Sequence, residues 1–250
     1  MLSPRKEIQG SYKLDGHTLE QVPSNPYLGV QIQEDLKWKE HINNVTEKAC
    51  STLGFLRRNL QHCQREYRKT AYIVLVRSIM EYDAIIWDPY NKKDINKFEK
   101  LQRRGARFVT KDYKSREEGT ITKMLRDLDL PLLQTRRQHQ RLIFFYKLVK
   151  GQIPAIPPHE YISHQKPKRH IRARTFQDCE TTNSVNLQVR NNTRAIVVEH
   201  SNTDQYRNSL FIRTAINWNH LENSLVIVKT TEEFKGLLAT LNCALSPVVS

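Results

Sequence analysis

Residues 92–111 form the stretch KKDINKFEKLQRRGARFVTK. Its apolar and small residues recur every three or four positions, which is the period of one face of an α-helix. They are Ile95, Phe98, Leu101, Gly105, Phe108 and Val109. The pattern predicts a helix from about Lys92 to Lys111 that packs this face against neighbouring helices.

The opposite side of the same helix is cationic. Six basic residues step by 4, 3, 4, 3 and 4 positions, so at ~100° per residue they fall within an arc of about 80°. They are Lys93, Lys97, Lys100, Arg104, Arg107 and Lys111. Such a row, about 27 Å long, destabilises an isolated helix unless a polyanion neutralises it. The pattern favours a phosphate backbone as partner, and the alternatives are a solvated basic face and an anionic lipid surface.

Further basic residues extend the set of candidate nucleic-acid contacts. Arg103 lies on the same helix, and Arg136, Arg137 and Arg141 lie on a later one. The basic run at 166–174, KPKRHIRAR, strengthens the nucleic-acid interpretation but is equally typical of a nuclear-import signal.

The helical period continues on both sides of this stretch, and it predicts a mainly α fold, a helical bundle of five to seven helices. The other predicted helices run from Trp38 to Leu60, from Tyr67 to Trp87 before Pro89, from Thr120 to Leu128, from Pro131 to Gly151, from Leu210 to Leu221, and onward from Thr230, where Thr230 and Glu233 have capping-box spacing. The three tryptophans fall on or at the ends of apolar helix faces, which assigns them to the core.

The start of the chain has a different period. Residues 12–19, YKLDGHTL, alternate around Asp15-Gly16 and predict a β-hairpin, with a third strand at Tyr27–Ile32. We therefore divide the chain into a β remnant at 1–35, a helical bundle at 36–151, an irregular basic and polar insertion at 152–208 and a helical segment at 209–250. The insertion contains one candidate strand, at Arg194–Glu199.

Composition narrows the class of protein. The 250 residues include 40 Lys and Arg against 26 Asp and Glu, a net charge of +14, and the excess is concentrated in residues 91–150. A localised excess of this kind favours polyanions. No apolar run is long enough for a signal peptide or a membrane span, so we expect an intracellular protein. The four cysteines are scattered and are expected to be free thiols.

Recognisable catalytic motifs are missing from the sequence. There is no adjacent Asp-Asp pair, no HExxH or GxSxG, and with 8 Gly no phosphate-binding loop. We expect Glu81, Asp83 and Asp88 to be structural or solvated carboxylates. The expectation is therefore a chain that is not an enzyme, with no catalytic residue, metal, cofactor or small-molecule substrate.

An ordered series of blocks carries a family resemblance. The blocks are PYLGVQIQEDLKWKEHI, KACSTLGFLRRNL, AYIVLVRSIMEYDAIIWDPY, INKFEKLQRRGARFVT, LPLLQTRRQHQRLIFFYKLVKG and FIRTAINWNHL. In this order they resemble the segment that follows the catalytic palm in reverse transcriptases of non-LTR retrotransposons, of the jockey and chicken-repeat kind. The resemblance covers about residues 12–242, although 181–206 fits the family pattern poorly.

The resemblance implies an origin in an RNA-directed DNA polymerase with an endonuclease that acts in the nucleus. YLGV resembles the end of the palm, and the helices after it correspond to the thumb and the region beyond, which hold template and primer. The family's catalytic carboxylates belong to an upstream FADD-type motif that nothing in this chain matches, so no catalytic residue is carried over.

Two hypotheses follow for the function. In the first, the chain is a reverse-transcriptase fragment without a palm that binds RNA or an RNA–DNA duplex, independently of sequence, through its basic helix face. In the second, it is an inert helical interaction or structural protein whose basic face is solvated or meets an acidic protein. An active polymerase would require sequence upstream of this chain.

Overall fold

The computed structural model of the chain describes residues 12–163 and 194–244, the last four by their backbone alone. These residues form a mainly helical fold with two small antiparallel strand pairs, which confirms the predicted fold class. Seven helical stretches of eight or more residues occur in the described ranges when the contiguous run Arg65–Glu81 is counted as one.

The first strand pair is the predicted hairpin. β1 (Lys13–Leu14) pairs antiparallel with β2 (His17–Thr18). Asp15 and Gly16 turn the chain with φ of 49° and 80°, the left-handed conformation that this residue pair tolerates. The prediction for residues 12–19 is therefore confirmed.

The second strand pair corrects the prediction of one strand at Tyr27–Ile32. β3 (Ser24–Tyr27) pairs antiparallel with β4 (Val30–Gln33), and the turn between them falls inside the predicted strand. Leu28 and Gly29 at this turn have φ of 48° and 84°. Gly29 also lies against the ring of Tyr82, where a Cβ would be 3.3 Å from a ring carbon, so a glycine suits the turn on both counts.

The helices follow in chain order. They are α1 (Lys39–Asn59), α2 (Arg65–Ala71), α3 (Ser78–Glu81), α4 (Ala84–Trp87), α5 (Lys92–Thr110), α6 (Thr120–Asp127), α7 (Leu133–Val149), α8 (Pro158–Tyr161), α9 (Asp204–Arg207), α10 (Leu210–Asn219), α11 (Asn223–Val226) and α12 (Thr231–Ala244). A π-helical segment, Tyr72–Arg77, joins α2 to α3.

The second predicted helix is interrupted before it reaches Pro89. Tyr82 is extended and Asp83 has φ of 47°, so α3 ends there and the short α4 begins. Two hydrogen bonds fix this break: the Tyr82 hydroxyl donates to the carbonyl of Leu28, and Nε1 of Trp87 donates to the carbonyl of Tyr82, both at 2.9 Å. Met80 before the break and Ala84 and Trp87 after it lie in the same buried cluster. Val74, Tyr82 and Ile86, whose spacing predicted the helix, are exposed, so the buried face is not the one that the spacing indicated.

The last helix begins at the capping box that the sequence predicted. Thr230 Oγ1 accepts a hydrogen bond from the Glu233 amide at 3.2 Å, and Glu233 accepts one from the Thr230 amide at 3.4 Å, which is the predicted capping box before α12. At the candidate strand Arg194–Glu199, a single bridge residue, Ile196, is found instead of a strand.

Two clusters of buried side chains hold the helices together. The first lies among β4 and the elements from α1 to α6 and includes Trp87 and Phe98, and the second lies among α7 and α10 to α12 and includes Trp218. α7 contributes Leu133 to the first cluster and Phe145 to the second, and so it joins them. None of the helices in the described ranges has the length and apolar character needed to cross a membrane.

Candidate nucleic-acid interface

α5 is anchored by the apolar face that the sequence predicted. Phe98 and Val109 are fully buried, and neighbouring contacts come from α1, α2, α6 and α7. Gly105 allows the closest approach, because a Cβ there would lie 2.6 Å from Cζ of the Tyr72 ring. The opposite face of α5 therefore has a fixed orientation toward solvent.

One edge of the cationic side runs along a seam with α1. Nζ of Lys97 donates to Oδ1 of Asn43 at 2.9 Å, and seven residues further along both helices Nη1 of Arg104 lies 3.7 Å from Sγ of Cys50. Equal steps in the same direction mean that α1 and α5 run parallel. Part of the predicted row of basic residues therefore lies at the contact between α1 and α5.

Five basic residues of this side are exposed and form no ion pair with any described residue: Lys93, Lys100, Arg103, Arg104 and Lys111. We call these five the α5 basic face. Arg103 widens the arc to about 100°, and the face extends about 27 Å from Lys93 to Lys111. Lys97 is half-buried and also pairs with Asp94 at 3.0 Å, so its charge is shared inside the protein.

Arg107 has a different role from the one predicted. Its Nη1 donates to the carbonyl of Asp112 at 3.0 Å and its Nη2 to the carbonyl of Ser115 at 2.8 Å. The guanidinium therefore clamps the loop that follows α5 and is not free to bind a phosphate. Arg107 lies on the predicted cationic side of the helix, but its hydrogen bonds are made to backbone carbonyls of the protein.

The clamped loop is ordered by short-range contacts. Lys111 ends α5 with φ of 62°, and Oδ1 of Asp112 accepts hydrogen bonds from the amides of Lys114 and Ser115. The hydrogen bonds from Ser115 hold the pKa of Asp112 below its usual value. Next to it, the guanidinium of Arg57, at the end of α1, lies 4.6 Å from the centre of the Tyr113 ring.

Arg136, a predicted phosphate contact, is engaged by a carboxylate. Its Nε and Nη2 donate to the two oxygens of Glu81, the latter at 3.0 Å. Arg77 lies 3.8 Å from the same carboxylate. The hydrogen bond to Glu81 raises the pKa of Arg136. This bidentate pair ties α7 to α3 and leaves the side chain half-buried, so the structure does not support a phosphate contact here.

Arg137 and Arg141 were predicted as nucleic-acid contacts, and their burial does not support that prediction. Both are buried, 0% and 3% exposed, and their Nε atoms lie 2.9 and 3.0 Å from the carboxylate oxygens of Asp88. Burial lowers the pKa of Arg137, and it lowers that of Arg141 to about 10, so Arg141 stays charged at neutral pH. They cannot reach a phosphate on the surface.

Asp88 therefore proves to be structural, one of the two roles expected for it. Besides the two α7 arginines it contacts Nη1 of Arg213 on α10 at 3.2 Å, and its backbone carbonyl accepts from the same atom at 2.9 Å. Asp88 precedes α5, so this cluster connects the first buried cluster to the second. Arg137 and Arg213 lie 49 and 125 residues after Asp88, and no local sequence pattern predicts pairs that far apart.

Two residues beside the C-terminal end of the α5 basic face, Arg57 and Tyr113, were not singled out in the sequence. They meet only because α1 and α5 are parallel, and a local period cannot reveal contacts between helices 56 residues apart. The basic run at 166–174 lies outside the described residues, and so does the part of the poorly fitting segment 181–206 that precedes residue 194.

The chain matches no family model, no curated protein and no solved structure. In the part of the chain that the structure describes, no group of three or more His, Cys, Asp and Glu side chains could hold a metal ion. The surface geometry of α5 is accordingly what the functional argument rests on.

Proposed function

We propose that this chain binds RNA or an RNA–DNA duplex, independently of sequence, through the α5 basic face. The observation that carries the proposal is the set of five exposed cations on one rigid helix face, none of them in an ion pair with a described residue. Phosphate contacts of this type position a duplex without reading its bases. The buried arginines of α7 have no part in it.

The dimensions of the face suit a phosphate backbone. Its length of about 27 Å corresponds to about eight phosphates of one strand at ~3.4 Å each. Five cations against about eight phosphates neutralise much of that charge, and the bound polyanion would remove the mutual repulsion of Lys100, Arg104 and their neighbours along the helix.

The resemblance of the ordered sequence blocks to the post-palm region of non-LTR reverse transcriptases supports the same partner. On this proposal the chain is a non-catalytic segment derived from such a reverse transcriptase, and it would bind nucleic acid in the nucleus. The support consists of the quoted blocks and of the basic helix that one of them, INKFEKLQRRGARFVT, forms.

The proposal is tested by fluorescence anisotropy with a labelled RNA–DNA duplex between ~50 and ~200 mM salt. Five phosphate contacts give a slope of log K against log salt near −4.5, at about −0.9 per contact. The triple variant Lys93→Glu, Lys100→Glu, Arg103→Glu is expected to lose binding at every salt concentration in this range.

A matched control has the same change in net charge elsewhere. Arg207, Lys229 and Lys235 are exposed residues of the C-terminal part, and their replacement by Glu is expected to leave most of the binding intact. A flat salt response, or equal losses in the two triple variants, contradicts the proposal and favours the second hypothesis, a helical interaction protein.

A further inference from the structure

An exposed aromatic ring stands at the C-terminal end of the α5 basic face. Tyr113 is 43% exposed and follows Lys111, the last cation of the face, by two residues. The guanidinium of Arg57 covers one side of its ring at 4.6 Å. In the other two cation–π contacts of the described residues, the rings of Phe98 and Tyr146 are buried.

The ring is held in place before any ligand arrives. The carbonyls of Asp112 and Ser115, on either side of Tyr113, accept the two hydrogen bonds of Arg107. The Asp112 carboxylate fixes the amides that follow. Because the loop is already ordered, a base that stacks on Tyr113 need not bear the entropic cost of ordering it.

An aromatic ring that is 43% exposed and has an arginine against one side can accept a nucleobase. Base stacking on such a ring contributes about 1–3 kcal/mol per base and tolerates any base. A base inside a duplex is already stacked between its neighbours, so only an unpaired base can use this ring. The position at the end of the cationic row is where a strand would leave a duplex that lies along α5.

We propose that Tyr113 stacks an unpaired base of a single-stranded extension, so that the preferred ligand is a duplex with such an extension at the Lys111 end of the face. This rests on the proposed function, because the α5 basic face must hold the duplex for the extension to reach the ring. Lys114 and Arg116, exposed beyond Tyr113, lie along the path of the extension's phosphates.

The test compares three ligands that share one RNA–DNA duplex: a blunt duplex, the duplex with an extension of four nucleotides, and the duplex with an abasic extension of equal length. The abasic extension keeps the added phosphates and removes the bases. We expect the wild-type chain to bind the extended duplex about 5-fold to 150-fold more tightly than the abasic one, the range given by one stacked base. Both extension polarities are tested.

Two variants assign the effect to the ring. Tyr113→Ala is expected to reduce affinity for the extended duplex to that for the abasic one and to leave blunt-duplex affinity unchanged, whereas Tyr113→Phe keeps the preference because it keeps the ring. The side chain is exposed, so both variants should fold, which circular dichroism checks.

The results distinguish the stacking proposal from the proposal that the α5 basic face binds a duplex. Equal binding of the extended and abasic duplexes by the wild-type chain overturns the stacking proposal and leaves duplex binding standing, and so does a Tyr113→Ala variant that keeps the preference. Absence of binding to all three ligands overturns both proposals.

Discussion

Nε of Arg137 donates a hydrogen bond of 2.9 Å to Oδ1 of Asp88 at a point where 0% and 3% of the two side chains are exposed. Arg141 shares this carboxylate, and Nη1 and Nη2 of Arg137 have no hydrogen-bond partner among the described residues. One buried carboxylate thus lies against the two buried arginines of α7 and against Arg213, and all three ion pairs depend on it.

Replacing that carboxylate with an amide should be costly. Asp88→Asn removes the carboxylate that the buried Arg137 and Arg141 share, and removing one partner of a buried ion pair typically costs about 3–5 kcal/mol. We expect a loss of this size in the free energy of unfolding measured with urea. The control is Asp35→Asn, which removes an exposed pair with Lys37 and should cost less than about 1 kcal/mol. Equal losses would contradict the structural role of Asp88.

The arginines of α7 show what the sequence could and could not predict. Leu133, Arg137, Arg141 and Phe145 are spaced by four residues, so both arginines share a face with buried apolar residues. This spacing predicts that Arg137 and Arg141 point toward the core. Their partner Asp88 lies 49 residues before Arg137, and no local pattern indicates such a pair.

The α5 helix was predicted well because its two faces differ in chemistry along its whole length. Its period placed Phe98 and Val109 inside and Lys93 and Lys100 outside, as found. Which cations are free was not predictable, because Lys97 is engaged by Asn43 of another helix and Arg107 by carbonyls of the next loop. Helical period fixes direction, whereas hydrogen-bond partners depend on tertiary packing.

The contact between α5 and the π-helical segment makes Gly105 a sensitive position. An alanine Cβ at Gly105 would overlap the ring of Tyr72, which is fully buried and cannot move aside. We expect Gly105→Ala to lower the free energy of unfolding by about 1–3 kcal/mol through overpacking.

The same substitution on α1 provides the control. At Gly54 a Cβ would meet only Nη1 of Arg58, at 3.6 Å, so Gly54→Ala should raise stability by about 0.5–1 kcal/mol through reduced backbone entropy in the unfolded chain. If both variants were stabilised, the close approach of α5 to Tyr72 would be wrong.

His41 gives the fold a dependence on pH. It is buried, and its Nδ1 accepts a hydrogen bond from the backbone N–H of Gln31 at 3.1 Å. The centre of its ring lies 5.0 Å from the centre of the Trp87 ring. Burial lowers its pKa, an effect that Asp83 partly opposes. The unfolded chain therefore binds a proton more readily, and stability present above pH ~6.5 is lost as the pH falls below it.

The measurement is the free energy of unfolding at pH 8 and pH 6 for the wild-type chain and for His41→Asn, whose Oδ1 can still accept from Gln31. The wild-type chain should lose stability on acidification with a slope of at most ~1.4 kcal/mol per pH unit from this group, and the variant should lose less. Glu99, whose pKa burial raises, is present in both proteins, so any contribution from it cancels in the comparison. Identical pH dependence would remove His41 as the cause.

Lys93 and Lys97 form a matched pair for the duplex-binding proposal. They are one helical turn apart, but Lys93 is exposed without an ion pair to a described residue, and Lys97 is half-buried between Asp94 at 3.0 Å and Asn43 at 2.9 Å. Lys93→Gln should reduce the salt slope of duplex binding by about 1, the loss of one phosphate contact. Lys97→Gln should reduce it by clearly less, because that charge is already shared with Asp94. Anisotropy titrations at four salt concentrations separate the two, and a larger effect at Lys97 would mean that the bound duplex breaks the seam between α1 and α5.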